Sequence, residues 1–109
     1  MNDNVLRELY AVVADRKINP EEGSYTCYLF EKGIDKILKK VGEECAETII
    51  AAKNNVMEDT VGEISDLIYH LTVMMVQCNI PLESVMEELD KRSGKIGNLK
   101  QFHVSDHNT

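Results

Sequence analysis

Residues 42–47 read GEECAE and residues 63–66 read EISD, so Glu43, Glu44, Glu47, Glu63 and Asp66 fall inside two of the most hydrophobic stretches of the chain. Carboxylates crowded into apolar surroundings are costly unless something positive sits among them. Oxygen donors with no second histidine nearby suit a hard divalent ion, Mg²⁺ or Mn²⁺, rather than Zn²⁺. A di-iron helix bundle would carry paired Glu-x-x-His motifs, and none is present. His70, one turn beyond Asp66, reads as a structural or supporting residue rather than a ligand.

Helical geometry brings these acids together. At about 100° per residue, Glu43, Glu44 and Glu47 lie within about 100° of arc, on the side away from Ile37, Val41 and Thr48, while Glu63 and Asp66 share one face of the next helix. If the two helices fold back near residue 56, Glu47 stands nine residues before the turn, and Glu63 and Asp66 seven and ten after it. At about 1.5 Å rise per residue their heights nearly match, so four or five carboxylates converge. Lys36, Lys40 and Glu47 share a stripe with Glu43 between them. Cations beside a carboxylate–metal cluster are what phosphate chemistry requires. Ion pairs such as Lys40–Glu44 or Lys40–Glu43 explain either lysine equally well. Lys39 points towards solvent.

The elements that must position these groups are helical, and no strand is evident. Apolar spacing predicts a helix over 3–17, capped at Asp3 or Asn4, then a loop over 18–26. A long helix is expected over about 27–54, with Ile34, Ile37, Leu38, Val41, Cys45, Thr48, Ile49 and Ala52 on one stripe. Residues 53–60 read as a connection with Asp59 or Thr60 as N-cap, followed by a second long helix over about 60–79. Pro81 starts a third helix that stops near Gly94, and 95–109 read as a frayed tail. The expected architecture is a single all-α domain over 1–109, a bundle built on a long antiparallel hairpin. The helix over 60–79 is apolar nearly all round, so a homodimer or larger assembly is expected to complete it.

Composition bounds the rest. Hydrophobic residues make up 43% and charged residues 28%, and the net charge of −7 argues against nucleic-acid binding through a basic face. Cys27, Cys45 and Cys78 lack metal or disulfide spacing and are expected to be reduced and mostly buried. The N-terminus lacks a signal-peptide pattern, and LIYHLTVMMV at 67–76 is too short to span a bilayer. The expected location is cytoplasmic, with no membrane partner.

The arrangement EExxE, then ExxD on the next helix, resembles the MazG-type all-α nucleoside triphosphate pyrophosphohydrolases. SYTCYLFEKGIDKILKKVGEECAETIIAAKN followed by EISDLIYHL is more narrowly similar to the phosphoribosyl-ATP pyrophosphohydrolases, over roughly residues 5–95. The resemblance implies a Mg²⁺-dependent enzyme (with Mn²⁺ as a substitute ion) that converts phosphoribosyl-ATP and water to phosphoribosyl-AMP and pyrophosphate. That is the second step of histidine biosynthesis, and the family's members are helical homodimers or larger. Matched residue by residue, Glu44, Glu47, Glu63 and Asp66 correspond to the metal-binding carboxylates, and Glu43 to the first glutamate of the motif. Glu44 and Glu47 are both candidates to accept the proton of the attacking water. Lys36 and Lys40 would hold phosphates. Ser24, Tyr25 and Thr26 would meet the phosphoribosyl end, a turn or helix cap being the equal alternative. Cys45 stands where the family commonly has a small residue such as alanine, and no partner makes it a nucleophile. The competing expectations are a housecleaning pyrophosphatase of (deoxy)nucleoside triphosphates, a non-catalytic metal-binding helical dimer and a solvated acidic scaffold.

Overall fold

The computed structural model describes residues 3–94, which form five helices: α1 Val5–Ile18, α2 Tyr25–Lys32, α3 Ile34–Asn54, α4 Met57–Gln77 and α5 Leu82–Ser93. There is no strand among the described residues, and the fold is all-α. The tail expected over 95–109 lies outside them. No helix among them is long and apolar enough to cross a membrane.

The expected helix over 27–54 is two helices. Gly33 sits at φ 91°, ψ −175°, a conformation open almost solely to glycine, and it ends α2 and begins α3 in one residue. The N–H of Gly33 closes α2 on the carbonyl of Leu29, while its own carbonyl accepts from Ile37. A Cβ built at Gly33 meets nothing within 4 Å, so substitution is opposed by backbone conformation alone. Gly33→Ala is therefore expected to cost about 1–3 kcal/mol and to lower the thermal midpoint by roughly 5–15 °C, as read by circular dichroism.

The expected loop over 18–26 and connection over 53–60 are both shorter than their polar composition suggests. Ser24 caps α2, its Oγ accepting from the Cys27 N–H at 3.2 Å. The thiol of Cys27 donates to the Arg16 carbonyl at 3.4 Å and its sulfur accepts from the Glu21 N–H at 3.3 Å, which fastens the intervening loop to α1. Only Asn55 and Val56 separate α3 from α4. Asn55 is left-handed at φ 59°, which asparagine tolerates, and it ends α3 with its N–H on the Ala52 carbonyl. Asp59 and Thr60 lie inside α4 rather than capping it, and the Thr60 hydroxyl donates back to the Val56 carbonyl. Pro81 is itself the cap of α5.

Val13, Leu29, Ile37, Val73 and Val76 form the buried core, with Leu9, Tyr10, Phe30, Tyr69 and Met74 against it. Helix α5 buries no residue. Arg7 pairs with Glu83 at 2.8 Å and the Tyr10 hydroxyl donates to the Ile80 carbonyl, which tie the segment leading into α5 to α1. The stripe expected on α3 is displaced: Ile34, Leu38, Cys45, Ile49 and Ala52 are exposed. The covered line runs through Ile37, Val41, Glu44, Thr48 and Ala51 instead. Cysteine burial also differs from expectation, since Cys45 and Cys78 are exposed and Cys27 is half-buried.

Candidate active site

Spacing of three and four residues along α3 places Glu44 in the middle of the line that faces α4, where an apolar side chain would ordinarily sit. Helices α3 and α4 make the most extensive helix–helix contact, and at this level they are pinned by Thr48. The Thr48 hydroxyl lies 2.7 Å from the Glu44 carbonyl of its own helix and 3.2 Å from the Glu63 carbonyl of α4, and donates to both. That bond holds Glu63 opposite Glu44.

Glu44, Glu63 and Asp66 each offer a carboxylate oxygen within 4.8 Å of the others. Glu44 is only 5% exposed, and one oxygen each of Glu44 and Glu63 is buried without a hydrogen-bond partner. An enclosed, unpartnered carboxylate oxygen is expensive, and three carboxylates this close together repel one another. A hard divalent cation satisfies both conditions at once, so the residues fit a metal site built wholly of oxygen donors.

Not all five expected acids meet there. Glu47 stays exposed at the edge of the trio, close enough to Glu63 to act on its carboxyl, and faces an open cavity of about 540 Å³ shared with Asn54, Asp59 and Asp66. Glu43 lies exposed on the outer flank, outside the trio, with Lys40 as its charged neighbour. The expectation that Glu43, Glu44 and Glu47 all point away from the covered stripe therefore fails for Glu44. The spacing 37, 41, 44, 48, 51 carried the missing signal, because it threads Glu44 and Thr48 onto one seam.

The hydrogen bond to Glu47 first, then burial, then the charges of Glu47, Glu44 and Asp66 hold the Glu63 carboxyl above the usual carboxylate range. Folded protein thus keeps this proton more tightly than unfolded chain does. The stabilisation is complete below the ordinary carboxylate pKa and is lost as pH rises through the raised folded value. Ion-free protein should accordingly lose thermal stability as pH rises above the ordinary carboxylate range, and Glu63→Gln should flatten that slope. A slope identical in the variant would mean that other groups carry it.

The lysines divide. Lys40 reaches the Glu44 carboxylate at 3.6 Å and is mostly covered. Burial opposes its charge, but Tyr25, Glu43 and Glu44 outweigh that and raise its pKa. Lys36 is half-buried and makes no hydrogen bond or ion pair among the described residues.

The three hydroxyls of the SYT segment are all engaged within the protein. Ser24 is the helix cap, and the Thr26 hydroxyl bonds the Tyr69 hydroxyl. Tyr25 O lies 3.0 Å from His70 Nε2, and its ring remains 45% exposed beside a cavity of about 600 Å³ lined by Pro20, Glu22, Gly23 and Tyr28. Burial raises the Tyr25 pKa; nearby Lys40 opposes this, while Tyr69 and Glu44 add to it. Sequence reasoning did not bring out Thr48 as the clamp or Tyr69 as part of this aromatic group. The tyrosines carried no periodic signal of their own.

An all-α chain with an acidic trio between two helices and a lysine beside it has the outline of the all-α nucleoside triphosphate pyrophosphohydrolases. Comparison with known proteins narrows this. The family model described as Phosphoribosyl-ATP pyrophosphohydrolase (PRA-PH) matches residues 6–93. The phosphoribosyl-ATP pyrophosphatase of Clostridium novyi is 57% identical over 91% of this chain and 90% of its own, and that of Clostridium acetobutylicum is 59% identical over the same shares. The histidine biosynthesis bifunctional protein HisIE of Thermoanaerobacter pseudethanolicus is 63% identical over 80% of this chain and 40% of its own. The chain belongs to the phosphoribosyl-ATP pyrophosphohydrolase family.

Proposed function

We propose that this chain hydrolyses phosphoribosyl-ATP to phosphoribosyl-AMP and pyrophosphate, the second step of histidine biosynthesis, as a cytoplasmic Mg²⁺-dependent enzyme acting as a single all-α domain. The observation that carries the site assignment is the pair of buried, unpartnered oxygens on Glu44 and Glu63, in a chain of this family.

Glu44, Glu63 and Asp66 would hold Mg²⁺, or Mn²⁺ in its place. When bound, the ion neutralises phosphate oxygens and makes water a better nucleophile. Glu47, exposed at the rim, would accept a proton as water adds to phosphorus and the anhydride oxygen departs with pyrophosphate, its accessibility favouring it over the buried Glu44. Lys40, kept charged by its acidic neighbours, binds a phosphate oxygen at the same rim, and Lys36 extends the positive charge one turn along α3. Tyr25 stands at the sugar end. Two copies of the chain would cover exposed apolar side chains of α3 and α4, among them Leu38, Ile49, Val61, Ile64 and Ile68.

The test is pyrophosphate release from phosphoribosyl-ATP with Mg²⁺, beside a panel of ribo- and deoxynucleoside triphosphates, with EDTA as the blank. Strong preference for phosphoribosyl-ATP supports the proposal. Equal or better turnover of ordinary nucleotides would move the chain to nucleotide housecleaning with the same acids. Silence on every substrate would overturn the catalytic reading.

A further inference from the structure

His70 is buried, at 5% exposure, and both its ring nitrogens are engaged. Nδ1 lies 2.7 Å from the backbone carbonyl of Asp66, one turn back on α4. A carbonyl oxygen only accepts, so Nδ1 must carry a proton. In the neutral ring Nε2 is then bare, and the Tyr25 hydroxyl at 3.0 Å must donate to it. Tyr69 fixes the imidazole plane, packing edge-on with centroids 4.9 Å apart, and Tyr25 meets it edge-on at 5.8 Å. The phenol of Tyr25 is therefore held in place with its proton committed to His70, and what its oxygen has left to offer a ligand is lone pairs.

From this geometry we infer that His70 is a positioning residue for substrate binding: it takes the Tyr25 proton, so that Tyr25 receives a hydrogen-bond donor from the substrate, a sugar hydroxyl, and not a phosphate oxygen. The inference rests on the proposal that the site binds a phosphoribosyl nucleotide. Two acceptors facing one another repel, which excludes phosphate from this position and reserves phosphate for Lys40. The relay also runs through the main chain of Asp66, so the sugar contact and the acidic trio share one turn of α4.

The experiment compares wild type with Tyr25→Phe, His70→Asn and the double variant. The asparagine amide can still donate to the Asp66 carbonyl but removes the acceptor at Nε2. Each single change is expected to raise KM for phosphoribosyl-ATP about 5–10-fold, the worth of one hydrogen bond, with a smaller effect on kcat. The double variant should be no worse than either single one, because both break the same contact. Inorganic tripolyphosphate, which has no sugar, should inhibit all four proteins equally at fixed free Mg²⁺. Additive losses in the double variant would overturn the inference, as would tripolyphosphate inhibition weakened in step with KM. Tyr25→Phe, at a half-exposed ring, keeps the test available if the histidine variant folds poorly. Wild type inactive on phosphoribosyl-ATP would overturn the underlying proposal and this inference with it; an active wild type with independent variants overturns the inference alone.

Discussion

Glu44→Gln is expected to lower phosphoribosyl-ATP turnover by about 10³-fold or more and, at the same time, to raise the melting temperature of ion-free protein by a few degrees. The two effects share a cause. Glu44 is enclosed between α3 and α4 with one oxygen unpartnered and with Glu63 and Asp66 inside 4.8 Å. Without an ion, among the described residues only Lys40, at 3.6 Å, offsets the like charges of Glu63 and Asp66 around this poorly screened carboxylate. The amide removes that repulsion while keeping nearly the same shape. It also removes the most deeply buried donor of the proposed metal site, so the rise in melting temperature that saturating Mg²⁺ gives the wild type should vanish. Parallel thermal melts with EDTA and with Mg²⁺, beside turnover, check all three. A variant that keeps the Mg²⁺ response and normal turnover would remove Glu44 from the site.

Leu29→Ala should be the most damaging of the apolar truncations, at about 2–5 kcal/mol, a fall in melting temperature of at least 10 °C. Helix α2 has eight residues, too few to be stable alone, and Leu29 is its single fully buried side chain. Leu29 lies one turn beyond Tyr25, so a cavity beneath it loosens the part of the site that α2 carries. The trio stands on α3 and α4, outside α2. The variant, assayed well below its melting temperature, should show a raised KM while keeping its Mg²⁺-induced stabilisation. Loss of the Mg²⁺ response as well would mean that α2 supports the acids directly.

The sequence made the helical class and the acidic motifs legible because both rest on local periodicity. Periodicity failed where one residue decided the outcome. The apolar pattern runs straight through Gly33, yet a φ of 91° there splits the helix and lets α2 bring Tyr25 to His70. The stripe on α3 was misplaced because Leu38, Ile49 and Cys45 suggested an inward face by hydrophobicity alone. Glu44 faces inward, as a group that binds rather than packs. Thr48 looked like a small, nearly apolar member of that stripe, and its role as a link to the Glu63 carbonyl needs the second helix in place. His70 was legible as a supporting residue, but not whom it supports, since Tyr25 is 45 residues distant.

The Thr48 link to α4 bears on how this chain can change in length. Glu44, Thr48, Glu63 and Asp66 meet only because α3 and α4 hold one rotational setting at that level. A residue inserted within either helix between Glu44 and Asp66 turns everything beyond it by about 100° and shifts it by about 1.5 Å. The acids would then face outwards and the hydroxyl would lose its second acceptor. Length can vary at the Asn55–Val56 connection, or in the loop before Ser24, without turning either helix. Homologous chains that retain the chemistry are thus free to gain or lose residues at those joints, and the helical stretches between the acids and the turn behave as rulers of fixed length.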